Sequence, residues 1–484
     1  MKKTLQILFI TTFLVQIYCP TFINSQTNTW EKIYIIPPIQ NLSQSDGYDI
    51  CKTDDENYYV ISSRRGVHHQ AFIAKINVYG DSLWAILIDS ITAYTSAPTL
   101  DNGVLVAGIA YYPFGAFMLK INSNGEIAWL HKYSENYFTS IFKIIRTWDG
   151  GFVACGSGFN YGDGLLFKIN SNGDSLWCKD FVTTSFYQFN GIIENTYRDF
   201  LIYGGVAEAD SGKGLLLKTD SLGNTKWLRS YYLFNRAVQF NSLDSYGNKY
   251  IILATRSDSL NKNRIGILKV DENGDTINSI DLQQNIPWNC YGSCIKVLNN
   301  NKIILSYMRG YSLLIAHAYV DIIDSSGNIF NEKEFRISDY TEFNQILPVN
   351  DGYLFVGNSD YYYWINTYVV KTDLILNYPP IGINETIELL PYQITLSQNF
   401  PNPFNPITKI KFSIPQNKSV NQLMFVSLKI YDILGRELVT LVNSYLKPGN
   451  YESEWDANNF ASGIYFYKLQ AGDITLTKKM TLIK

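Results

Sequence analysis

The sequence predicts an all-β chain, and three observations carry that prediction. The first is composition: 46% hydrophobic, 15% aromatic and 17% charged, with 36 Tyr and 27 Phe against 5 Met. Tyr, Phe, Ile and Thr suit a pleated surface, and abundant Asn and Gly supply turns. Long-helix proteins are dominated by Ala, Glu, Lys, Leu and Arg. A disordered chain lacks large apolar residues and carries more charge than the formal -3 found here. The second observation is an internal repeat. The third is that the repeat stops at Pro379-Pro380 and a different alternating pattern begins.

The repeated phrase is an apolar run, then Lys-Ile-Asn or a variant, then a Gly turn and a Trp. It reads Lys75-Ile76-Asn77 with Gly80 and Trp84, Lys120-Ile121-Asn122 with Gly125 and Trp129, and Lys168-Ile169-Asn170 with Gly173 and Trp177. Lys218-Thr219-Asp220 with Gly223 and Trp227 follows, then Lys269-Val270-Asp271 with Gly274. The last two are Ile322-Ile323-Asp324 with Gly327 and Phe330, and Lys371-Thr372-Asp373. Successive Asn/Asp positions lie 45 to 53 residues apart. A Gly-bounded strand precedes each copy, as in Gly151-Phe152-Val153-Ala154-Cys155-Gly156. The Asn-x-x-Gly link is hairpin chemistry, because Asn and Gly accept the positive φ of a tight reversal. Each unit therefore reads as four strands: an inner strand, the Gly-bounded strand, the apolar strand and the Trp strand. Seven such units predict a seven-bladed β-propeller over residues 26–378. The seventh unit lacks a Trp strand, and Asn28-Thr29-Trp30-Glu31-Lys32-Ile33-Tyr34 supplies one. That segment, residues 28–34, is expected to pair near Tyr368–Lys371 and close the ring.

Residues 1–25 read as a signal peptide: a Lys2-Lys3 start, an apolar stretch from Leu5 to Tyr18, and a small residue, Ser25, at the expected cut. Residues 26–390 carry -9 and residues 391–484 carry +4. An acidic body without a basic stripe argues against nucleic acid as partner. The Cys are too few for a disulfide scaffold, and Cys290 and Cys294 are close enough in sequence to pair or to remain free. A zinc site would need two further ligands, so neither metal nor cofactor is expected.

After a linker over 379–390, residues 391–484 show about seven alternating strands, the pattern of a small Ig-like β-sandwich. Its motifs run in order. They are Pro401-Asn402-Pro403-Phe404-Asn405-Pro406, then Ile430-Tyr431-Asp432-Ile433-Leu434-Gly435-Arg436, then Gly449-Asn450-Tyr451 with Trp455-Asp456. Ser462-Gly463-Ile464-Tyr465-Phe466-Tyr467 and Thr477-Lys478-Lys479-Met480 complete the set. These residues resemble the type A C-terminal sorting domain of the type IX (Por) secretion system of Bacteroidetes and related bacteria. One departure is Phe400, where that family usually has Tyr. The resemblance implies a secreted or outer-cell-surface protein that passes through the periplasm. Its partners would be the secretion machinery, a sortase-like protease cutting between about Leu374 and Ile394, and possible surface lipopolysaccharide as anchor. The sorting signal would comprise Pro401, Asn402, Pro403, Phe404, Asn405, Pro406, Gly435, Arg436, Gly463, Tyr465, Lys478 and Lys479.

The propeller shows no catalytic motif. His68 and His69 stand beside Arg64 and Arg65 as a candidate anion or metal loop, although such pairs are more often solvated. The Gly-to-Trp spacing of four differs from the three of a sialidase Asp-box, so these hairpins read as structural. Aromatic residues in the links are the stronger signal, because Tyr and Trp offer a flat apolar face and a polar tip. The candidates are Tyr111, Tyr112, Tyr161, Tyr187, Tyr311, Tyr362 and Trp364, all expected on one face. Three functions remain open: a glycan- or protein-binding propeller, a carbohydrate-active enzyme with unidentified carboxylates, and a structural surface-layer component. Binding is preferred over catalysis.

Overall fold

A computed structural model of the chain describes residues 29–34, 44–65, 69–133, 138–158, 163–181, 186–208, 211–260, 262–282, 287–298, 301–312, 315–360, 366–378, 394–414, 424–446, 449–472 and 474–484. The proposed signal peptide and linker lie outside these residues. Among them the elements are strands, in two compact units.

The larger unit holds seven four-stranded antiparallel sheets, the blades of a propeller. We name the strands of a blade a to d from the axis outward. The inner a strands are Gln44–Lys52, Ile91–Pro98, Phe138–Arg146, Phe186–Glu194, Val238–Tyr246, Asn289–Val297 and Thr341–Val349. Blades 1 to 6 take their four strands consecutively along the chain. In blade 7, strand d is the N-terminal segment Trp30–Tyr34, in register Trp30↔Lys371 to Tyr34↔Thr367.

The repeated phrase becomes three repeated contacts. The first is the c–d turn. The Asn170 side-chain oxygen accepts the amides of Asn172 and Asp174 at 2.9 and 3.0 Å, and Gly173 takes φ 90°. Asp373 does the same for Ile375 and Asn377, with Leu376 at φ 64° in the Gly position. The second contact buries the Lys. Lys75, Lys168 and Lys371 reach Asp55, Asp149 and Asp351 of their own a–b hairpins at 2.7 to 2.8 Å. The third was not expected: Trp129, Trp177 and Trp227 pack on the next blade's turn, not on their own. A methyl group at Gly173 would come within 2.9 Å of Trp129, at Gly223 within 3.0 Å of Trp177, and at Gly274 within 3.1 Å of Trp227. Blade 5 lacks the Trp, and Ile280 sits against Gly327 instead. The same contact occurs at the ring's join. Trp30 covers Gly80 and donates from Nε1 to the Val78 carbonyl at 2.9 Å, while Tyr34 donates to Gly80 O. Gly47 N, on blade 1, donates to Asn358 of blade 7 at 2.6 Å.

The smaller unit is a two-sheet sandwich. One sheet pairs Thr395–Leu396, Ile407–Ile414 and Gly449–Asp456; the other orders Glu437–Leu446, Met424–Tyr431, Gly463–Ala471 and Ile474–Leu482. Trp455, Tyr467, Leu428 and Met480 fill its core.

Candidate functional site

The inner strands repeat in shape where they do not repeat in sequence. Each carries a β-bulge that leaves one residue without a partner on strand b: Tyr48, Tyr94, Phe142, Asn190, Asn241, Ser293 and Asn344, in blades 1 to 7. Four of these bulges face a Gly on strand b. A methyl group at Gly108, Gly156, Gly204 or Gly357 would lie 1.9 to 2.0 Å from an inner-strand carbonyl. In these four blades the Gly on strand b is therefore the seat of the bulge. All seven bulge residues are half-buried, and the residue before each is buried. An inner strand has no sheet partner on its axial side, so the bulges lie beside the central channel. They form two arcs. Tyr48, Tyr94 and Phe142 touch in series, with ring centroids 5.2 and 5.9 Å apart. Asn190, Asn241, Ser293 and Asn344 make a polar arc. Asn344 donates to Gly47 O at 2.8 Å, and Asn241 Oδ1 accepts the Thr255 hydroxyl at 2.8 Å.

One residue further along, toward the a–b hairpins, lies a polar floor. The buried Asp49 carboxylate accepts Thr95 Oγ1 and Ser96 N of blade 2, Lys143 Nζ of blade 3 at 3.0 Å and Gln345 Nε2 of blade 7 at 3.0 Å. Cys294 of blade 6 donates to Gln345 Oε1. Lys143 reaches past blade 2 to find its partner, so this layer joins blades that are not neighbours. Desolvation opposes the charge of Lys296, but Asp244, Cys294 and Asp49 together hold its pKa above the ordinary lysine value. Cys290 and Cys294 are free thiols on one strand. Burial pushes Cys290 up to about 12.

The predicted aromatic residues divide. Tyr111 and Tyr112 stand at the b–c hairpin of blade 2. Tyr111 stacks on His69 of blade 1, centroids 3.6 Å apart, and Tyr112 is 78% exposed. Tyr187 lies in the inner strand of blade 4 and Tyr311 in strand b of blade 6 (Ile303–Ser312), not in links, because those strands extend further than expected. Tyr161, Tyr362, Trp364 and His68 lie outside the described residues. The inter-blade links add Tyr232, Phe234 and Trp288, all more than 40% exposed. Lys213 lies over the Tyr232 ring and Arg256 over Phe234. Reading the links alone misses Tyr48, Tyr94 and Phe142, which sit within strands; the Gly seats on strand b were the available signal. Among the described residues no group of three or more His, Cys, Asp or Glu could hold a metal ion.

In the sandwich, the Pro-rich run ties the two sheets together. Phe400 exchanges both backbone bonds with Lys409, and Phe404 bonds to Thr481 and Ile483. Phe404 is buried 5.4 Å from the Trp455 ring centroid, whereas Phe400 is 80% exposed, so Phe in place of Tyr leaves no buried hydroxyl unpaired. Asn402 accepts Thr481 N, and the Pro406 carbonyl accepts Ala457 N. Pro401, Pro403 and Asn405 are exposed. Gly435 has φ 78° in a turn built like the propeller's c–d turns, with Asp432 accepting Leu434 N and Arg436 N at 2.9 Å. Arg436 pairs with Asp432 at 2.7 Å, and Tyr465 donates to Ala461 O. Gly463 opens the strand that pairs with the one carrying Lys478 and Lys479.

Residues 398–484 match the family model described as the secretion system C-terminal sorting domain. No curated protein matches the chain. Among solved structures, the Dos1 propeller is similar at 10% identity and TM-score 0.44, covering 89% of this chain and 96% of its own. A protein of unknown function from Dyadobacter fermentans gives 11% and 0.41, over 71% and 98%. The α-L-arabinofuranosidase Arb93A of Fusarium graminearum gives 11% and 0.36, over 65% and 93%. At such identities none of these likenesses carries functional information.

Proposed function

We propose that this chain, whose residues 398–484 are a secretion-system C-terminal sorting domain, is an exported propeller that binds a glycan. The sorting domain makes it a cargo of the type IX machinery, released or displayed outside the cell. On our reading residues 1–25 direct the chain to the periplasm. A sortase-like protease then cuts between Leu374 and Ile394, and attachment to lipopolysaccharide follows as one fate of the product. The observation that supports binding is the run of three touching aromatic residues on adjacent inner strands, below a face that carries Tyr111 and Tyr112. Aromatic faces stack on the C–H side of a sugar while amides meet its hydroxyls. The channel carboxylate Asp49 supports binding over hydrolysis, since donors from Ile50, Thr95, Ser96, Lys143 and Gln345 already occupy it.

Two measurements test this. A reporter fused to residues 375–484 should leave a host with type IX machinery, and removing Lys478–Lys484 should retain it inside. Export without those residues would refute the address. The full chain on a glycan array should bind a defined sugar class; silence across the array would refute the binding role.

A further inference from the structure

We infer that the central channel is a blind socket for the end of a neutral polysaccharide chain. This rests on the glycan-binding reading and names its site and ligand class. Three features point the same way. Tyr48, Tyr94 and Phe142 present a continuous aromatic arc on one side of the axis. Asn190, Asn241 and Asn344 stand at the bulges of the other side, Asn241 held by Thr255 and Asn344 by Gly47, and amides keep further capacity to donate to and accept from sugar hydroxyls. Below them Lys143 is paired with Asp49, and Lys296 lies in the field of Asp244 and Asp49. The Lys143 ammonium of the floor is therefore already matched and offers an acidic sugar no free cation.

The floor also decides how the ligand enters. The Asp49 carboxylate joins side chains or backbone of blades 7, 2 and 3, and Cys294 adds blade 6. A chain cannot thread through this layer, so it must present a terminus. A terminal ring stacks on the aromatic arc, and the rest of the polymer leaves across the face that carries Tyr112.

The test uses the full chain on an array of linear neutral and linear acidic oligosaccharides. Calorimetry follows with the strongest neutral probe and the same oligosaccharide methylated at its terminal residue. Tyr94→Ala should weaken the linear probe about tenfold, the value of one aromatic contact of about 1.4 kcal/mol. Asn190→Trp, which adds bulk at a position with no side-chain bond of its own in the described network, should abolish binding. Terminal methylation should weaken it at least tenfold, and Trp148→Ala, on an a–b hairpin, should leave it unchanged. Should Tyr94→Ala fail to fold, Asn190→Trp decides alone. Neutral-glycan binding that survives Tyr94→Ala and Asn190→Trp but is lost in Tyr112→Ala would overturn the socket and leave the binding propeller standing. A preference for acidic sugars or basic peptides would overturn the ligand class. Silence on the array would remove both readings together.

Discussion

The outer and inner halves of each blade obey opposite rules. The outer half repeats in sequence because its partners repeat: a Lys meets its hairpin Asp, an Asn or Asp caps its turn, and a Trp covers the next blade's Gly. The inner strand repeats only in geometry. Its bulge recurs in all seven blades, yet the bulged residue is Tyr, Tyr, Phe, Asn, Asn, Ser and Asn. A repeated residue marks a contact the fold needs seven times. A repeated shape filled by different residues marks a position whose side chain the fold leaves free to vary.

If that division holds, the outer girdle should carry the stability. Trp30→Ala should cost about 3–5 kcal/mol, the usual loss for a buried Trp, and Trp177→Ala, at a half-buried position, about 2–3 kcal/mol, both read from urea unfolding of the full chain. Trp30 should sit at the upper end, because it also carries the Nε1 bond that joins blade 7 to blade 1. A loss below about 1 kcal/mol at either Trp would break the comparison.

The seat of the bulge comes next. A methyl group at Gly156 would meet the Ser140 carbonyl at 2.0 Å, so the inner strand of blade 3 must shift. Gly156→Ala should cost about 1–3 kcal/mol, as overpacking does, and should disturb Phe142 in the channel. Equal stability with unaltered aromatic circular dichroism would deny the Gly its role.

These two experiments also separate what was legible from what was not. The Lys, Asn/Asp, Gly and Trp spacing is enough for seven blades and for a strand near residue 30 to complete the last. It does not reveal that Trp129, Trp177 and Trp227 serve the neighbouring blade, because Gly and Trp stand four residues apart in one phrase and suggest a local contact. The sandwich is legible strand by strand, since its apolar alternation persists on both sides of the two bulges in the strand Glu437–Leu446. The channel is hidden for a physical reason: a bulge consumes one unpaired residue and imposes no side-chain type, so Phe142 and Asn190 look unrelated in sequence. Tyr111 and Tyr112 could be found in advance only because they stand beside a turn-forming Pro113.

A smaller effect concerns the closing strand. Desolvation raises the Glu31 carboxyl to about 7, although Tyr368 donates to it at 2.7 Å. The folded ring holds that proton longer than the unfolded chain, whose carboxyl titrates near 4.5. This contribution is fully present below pH 4.5 and is lost as pH rises to about 7, after which it is level. Asp321, in blade 6, is also pushed up to about 7 by burial and the nearby Glu332, and acts in the same direction. Thermal unfolding should therefore shift down between these limits, and Glu31→Gln should flatten part of that slope. An unchanged slope would mean that the closing strand does not feel the carboxylate.

The smallest stability effect should fall on the polar arc. Asn190 stands between the buried Phe189 and Gly191, yet it is itself half-buried and belongs to no repeated contact. Asn190→Ala should change stability by no more than about 0.5 kcal/mol, as a surface residue would. The same substitution should weaken glycan binding, because it removes an amide from the channel wall. That pairing of outcomes is the reverse of the one expected at Trp177, where stability falls and binding by the remaining folded protein is kept. If Asn190→Ala proved as damaging to stability as Trp177→Ala, the bulge ring would be part of the scaffold. Inner and outer halves of the blade would then differ in sequence for no functional reason.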